Sequence, residues 1–231
     1  MSLIHIKNPS IEFDKNLCKI NEEKFFKDSG NNTNFIYSLS KRISPEQIDL
    51  INKERFFAKK FELFDSFGVS FDFEKVESSK FNINLQTIDF NFPKVLADIL
   101  LLYYSNSDSS KNSIKNFVSE ITRKNEFNYD LNLNSDIYNM TMKRFLAEYA
   151  LGMRAGSVWK RDYQADGGYL IVRNDGEIIC YHFYFVKNFE TYLFENTKLE
   201  TPDPNRYQMA EVYEENDVQK IRLNLQIRFT T

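Results

Sequence analysis

Between Lys143 and Arg161 the chain sets Lys143, Arg144, Arg154, Lys160 and Arg161 against one acid, Glu148. Trp159 and Tyr163 are interleaved with these cations. A basic helix end, followed by a loop holding Gly152 and Gly156, suits contacts to a phosphate backbone, because bound cations displace its condensed counterions. The alternative is a solvated helix face with one anchoring tryptophan. A second polar group spans Asn196 to Tyr207, where Lys198, Glu200 and Arg206 stand among hydroxyl and amide side chains. Such groups can read base edges: Arg and Lys donate to guanine, and Glu accepts from the cytosine amino group. Gln226 and Arg228 alternate with Leu225 and Ile227, so both project from one face of the last strand. Here the alternative is an ordinary connector and a half-exposed strand.

Acidic oxygens that hold Mg²⁺, with a lysine near the attacking water, would make a metal-dependent phosphodiesterase. Asp14 followed by Glu22 and Lys24 has that order with a short gap, although Asn21-Glu22-Glu23-Lys24 also reads as a helix start. Asp166 and Glu177 form a second candidate pair, with His182 further along and Ile179 where the lysine would stand. Ile178, Cys180, His182 and Tyr184 share one strand face, so the competing role for His182 is a satisfied structural histidine. Cys18 and Cys180 are isolated from each other and from any histidine cluster, which argues against structural zinc.

The elements that must position these groups follow from capping and periodicity. Ser44, Pro45 and Gln47 form a helix start, and Ile48, Ile51, Phe56 and Leu63 carry an amphipathic helix to about Ser66, closed by Gly68. Val69 to Val76 and Phe81 to Ile88 alternate with a period of two and predict strands about Glu77-Ser78-Ser79. Helices are expected from Phe92-Pro93 through Leu102, at about Ser110–Arg123 and at about Ser135–Leu151. Strands from Tyr169 to Arg173 and from Glu177 to Phe185 flank the tight turn Asn174-Asp175-Gly176. A short helix near Phe189–Glu195 leads to the polar loop, and strands at about Gln208–Glu214 and Lys220–Phe229 turn at Asn216-Asp217. The fold class is α+β, a mixed helical region followed by an antiparallel β-rich C-terminal region. One domain over 1–231 is expected, with a weak segment 1–34, a helical part 35–157 and a β-rich part 158–231 that would read DNA.

Lys plus Arg number 30 against 33 for Asp plus Glu, a net charge of −3, which excludes a uniformly basic coat protein but not a local basic face. With 42% apolar and 27% charged residues the chain reads as folded. It has no apolar run long enough to span a membrane. The opening Met-Ser-Leu-Ile-His lacks the pattern of a secretory signal, so a reducing, cytoplasmic setting is expected.

From Ala165 onward the sequence resembles the C-terminal half of HpaII-type restriction endonucleases. The resemblance is carried by Ala165-Asp166-Gly167-Gly168-Tyr169-Leu170-Ile171-Val172, by Asp175 to His182, by Asn196-Thr197-Lys198-Leu199-Glu200-Thr201-Pro202 and by Leu223 to Phe229. Thr33-Asn34-Phe35-Ile36-Tyr37 is similar to an earlier segment of the same family. The resemblance implies a type II enzyme that cuts duplex DNA at CCGG with Mg²⁺ in a host whose methyltransferase acts on the same site. A palindromic target favours a homodimer. In that family a catalytic Asp and a Ser-x-Lys strand precede the Thr-Asn-Phe-Ile-Tyr segment, where this chain has Leu17-Cys18-Lys19-Ile20. The readings are therefore an endonuclease using Asp14, Glu22 and Lys24, its DNA-recognition portion, a catalytically inactive DNA-binding module, or a protein–protein interaction domain built on 22 Phe and 13 Tyr.

Overall fold

The computed structural model describes residues 33–108, 112–161, 168–172, 176, 178–182, 186–200 and 208–229. At its centre lies β1 (Asn34–Leu39), hydrogen-bonded on both sides and buried on both faces except at Ser38. The Ser44 hydroxyl accepts from the Gln47 amide and the Gln47 side chain accepts from the Ser44 amide, a complete capping box for α1 (Pro45–Lys53). The expected single helix is two. The backbone turns extended at Glu54, whose carboxylate accepts from the Arg55 and Phe56 amides, and α2 (Phe57–Ser66) starts afresh. Gly68 closes it at φ 65°, a left-handed conformation that a side chain disfavours.

β2 (Phe71–Val76) follows as expected, but the predicted second strand is α3 (Ser79–Gln86). Ser78 caps it by accepting from the Phe81 amide, and Phe81, Asn84 and Leu85 bury a helical face. Phe81 and Leu85 fit a period of two as well as a helical turn of four, and the exposure of Ile83 shows which one holds. α4 (Phe92–Ser105) is apolar nearly all round and buries nine residues, as a central helix must. Its Ala97 carbonyl accepts from the Tyr37 hydroxyl at 2.9 Å, tying helix to sheet. α5 (Ile114–Lys124) buries Ile114, Phe117, Val118 and Ile121 in one stripe, and α6 (Ile137–Ala150) packs beside it.

The hairpin of β3 (Gly168–Val172) and β4 (Ile178–His182) pairs Gly168 with His182, as the turn signal predicts. α7 (Val186–Glu195) packs on α6 and runs into β5 (Thr197–Glu200), so part of the expected polar loop is a strand. After β6 (Tyr213–Glu215), Asn216 and Asp217 both take positive φ and turn the chain into β7 (Val218–Asn224). The expected strand Lys220–Phe229 is interrupted at Leu225 and resumes as β8 (Gln226–Phe229). The main antiparallel sheet has the order β2-β1-β7-β6, while β5 and β8 make a separate two-stranded ribbon. The class is α+β. Among the described residues no helix is long and apolar enough to cross a membrane.

Candidate nucleic-acid interface

The β5–β8 register sets Lys198 opposite Arg228 and Glu200 opposite Gln226. The intervening pairs are Thr197 with Phe229 and Leu199 with Ile227, of which Thr197, Leu199 and Ile227 are buried. Side chains alternate along a strand, so one face of the ribbon is anchored to the core and the other carries all four polar groups. Arg228 Nη1 donates to Glu200 Oε1 at 2.8 Å across the diagonal, and this bond holds the guanidinium proton above its usual range. The ribbon is fastened from a third side, because the Leu199 amide donates to the Asn112 carbonyl at 3.2 Å and Ser113 bridges Lys198. Beneath it, Lys115 on α5 pairs with Glu195, the last residue of α7.

The basic segment is less unified than its sequence. On α6, Lys143 points to α7, its Nζ 5.5 Å from the Phe194 ring centre, while Arg144 reaches the Ile88 carbonyl at 3.4 Å. Arg154 bonds the Met153 carbonyl, Lys160 is exposed, and Arg161 approaches Glu148 at 3.5 Å. Glu148 is buried and also accepts from the Trp159 indole at 2.6 Å. The tryptophan is therefore an anchor of this segment, and it lies against Gly152, which takes a φ of 120°. On α7, burial raises the pKa of Glu190, with Lys143 opposing.

Other site candidates stand differently. Asp14, Glu22, Lys24, Asp166, Glu177, Arg206 and the aromatic Tyr163 lie outside the described residues, and of His182 only the backbone pairing is described. Among the described residues no three His, Cys, Asp or Glu side chains gather to hold a metal.

Two positioning groups escaped the sequence reading. Asn84, fully buried on α3, donates to the Arg154 and Ser157 carbonyls and accepts from the Trp159 amide, clamping the basic loop. Its only sequence signal is its place three residues after Phe81. The other is the joint between sheet and ribbon. There the Tyr104 hydroxyl donates to the Asn224 carbonyl and accepts from its amide. Asn224 Nδ2 donates to Thr33 Oγ1 and Asn34 Oδ1, and the Leu225 amide donates to the Thr33 carbonyl. This places Thr33 and Asn34, the start of the segment singled out by resemblance, in a structural role.

Fold and site together define an α+β protein that carries a polar, mixed-charge β-ribbon outside its core sheet. The chain belongs to the HpaII restriction endonuclease family, whose model matches residues 19–229. It is 42% identical over 198 residues to the Type II restriction enzyme HpaII of Haemophilus parainfluenzae, a match that covers 85% of this chain and 54% of that protein. The chain thus spans about half the length of that curated relative. No solved structure matches it.

Proposed function

We propose that this chain recognises CCGG-like duplex DNA for a type II restriction endonuclease, and that the outward face of the β5–β8 ribbon reads the bases. The observation that carries the reading is the convergence of Lys198, Glu200, Gln226 and Arg228 on one ribbon face. A two-stranded ribbon fits the major groove, and these are residue types that form specific pairs with base edges there. Arg206, which follows β5 in the chain, is a further candidate base contact by residue type alone. Lys143, Arg144, Arg154, Lys160 and Arg161 hold phosphates in this reading and fix the orientation of the duplex. With Arg161 beside Glu148, part of its charge is offset.

Family membership brings the further proposals of site-specific cleavage, Mg²⁺ as cofactor, a homodimer on a palindrome, and a methyltransferase that modifies the same DNA site without binding the chain. The candidate residues for cleavage are Asp14, Glu22 and Lys24, or Asp166, Glu177 and His182. The cytoplasm is the proposed setting.

The test is binding of a CCGG duplex against a scrambled duplex, with Ca²⁺ in place of Mg²⁺ to block cutting. Discrimination on the order of 10³ or more is expected. Equal, weak binding of both would overturn the recognition reading. A Mg²⁺ titration then separates enzyme from module: cut or nicked CCGG duplex marks the endonuclease, and intact bound duplex marks a recognition module.

A further inference from the structure

Lys198 and Arg228 stand directly opposite each other, a like-charge pair that repels when no counter-charge is near. Glu200 supplies that counter-charge from two residues along β5, through one bond to Nη1. Repulsion from Lys198 and attraction to Glu200 therefore pull the guanidinium the same way, toward the Glu200–Gln226 end of the ribbon. The carboxylate is the better covered partner, its side chain 37% exposed against 65% for Arg228. The acid thus sits lower on the ribbon and the guanidinium stands further out. With Nη1 engaged, Nε and Nη2 remain as a pair of parallel donors, the geometry that suits two acceptors on one base edge.

We propose that Glu200 is a positioning residue for Arg228: it presents the guanidinium to the N7 and O6 acceptors of a guanine and does not itself read cytosine. This rests on the ribbon being the base-reading surface. An arginine already held in its bound rotamer loses less freedom on binding than a free one, so the pair sharpens selectivity without adding a base contact. An exposed ion pair contributes little to folding, so the fold gives no reason of its own for this geometry.

Three duplexes separate the two roles that Glu200 could have: the CCGG target, the same target with 7-deazaguanine, which lacks the N7 acceptor, and the target with a cytosine analogue lacking the 4-amino group. Binding is measured in Ca²⁺ for the parent, Glu200→Ala, Glu200→Gln and Arg228→Ala. Glu200→Ala is expected to lower affinity for the unmodified target by roughly three- to tenfold. It should also erase most of the 7-deazaguanine penalty, as Arg228→Ala does. Glu200→Gln, which keeps an acceptor for Nη1, should restore part of that penalty. The penalty for the missing cytosine amino group should be the same in Glu200→Ala as in the parent. If that penalty disappears instead, Glu200 reads cytosine directly and the proposal falls. An undiminished 7-deazaguanine penalty in Glu200→Ala also overturns it, because Arg228 then needs no positioning. A parent that does not distinguish CCGG from a scrambled duplex overturns the ribbon reading as well, a failure separable from the other two.

Discussion

β7 and β8 are separated by one residue in the chain and differ in nearly everything else. β7 lies inside the four-stranded sheet, its Ile221 and Leu223 wholly buried and its Lys220 held between Glu74 and Glu215 at 2.7 and 3.0 Å. β8 lies outside that sheet, and of its four residues only Ile227 is buried. Hydrogen bonds to carboxylates raise the pKa of Lys220 on β7 and of Arg228 on β8 alike, while burial raises that of Tyr37, Tyr104 and Asp98 around the sheet. The contrast sets a buried, sheet-forming stretch directly before an exposed, polar one on a single strand path, joined by the Tyr104–Asn224–Thr33 knot. In the proposed reading the second stretch is the one that meets DNA.

The largest expected effect tests the sheet side. Leu223→Ala removes a wholly buried side chain and should cost about 2–5 kcal/mol in urea-unfolding free energy. A loss under about 1 kcal/mol would contradict the packing assigned to β7. Next is the joint. Tyr104→Phe leaves the Asn224 carbonyl and amide without their shared partner and should cost about 1–3 kcal/mol. Because the ribbon hangs from this joint, discrimination between target and scrambled duplex should fall as well, by binding titration.

On the ribbon side, Arg228→Ala should cost about 1–3 kcal/mol in discrimination at one base pair. Its melting temperature should stay near the parent's, because the pair with Glu200 is exposed. A uniform weakening on all sequences would turn Arg228 into a phosphate contact. The smallest effect is a pH dependence at the sheet. Burial raises the Asp98 carboxyl while Lys94 opposes it, so the folded state holds this proton more tightly than the unfolded chain. That favours folding below the ordinary carboxylate pKa and fades as the pH rises through the folded value. Asp98→Asn lacks this gain and should lose more stability than the parent between neutral and acidic pH, measured by urea midpoints.

The sequence revealed more of the ribbon than of the joint that holds it. The shared face of Gln226 and Arg228 followed from alternation alone, and Lys198 and Glu200 could be singled out by residue type. Their meeting depended on a pairing between residues 30 positions apart, Lys198 with Arg228, which no local pattern encodes. The capping box at Ser44 was legible because all its parts lie within four residues. Phe81 to Ile88 was misread because its apolar spacing suits both periods, and the deciding facts were the Ser78 cap and the burial of Asn84. Asn84, Asn224 and Tyr104 act through contacts with residues 70, 190 and 120 positions away, and a polar residue in isolation gives no sign of that.

Leu225 gives the joint one further consequence. The knot pins Asn224 on one side of this residue, and the ribbon begins on the other. Side chains change sides at every step of a strand, so parity, and not only sequence, decides what the ribbon displays. Inserting a single residue between Asn224 and Gln226, or deleting Leu225, would turn Ile227 outward in place of Gln226 and Arg228. A change of two residues would shift the display by one notch and keep its side. Lineages that alter this segment should therefore do so in even steps, while the Asn216-Asp217 turn at the far end of β7 carries no such restriction on the ribbon.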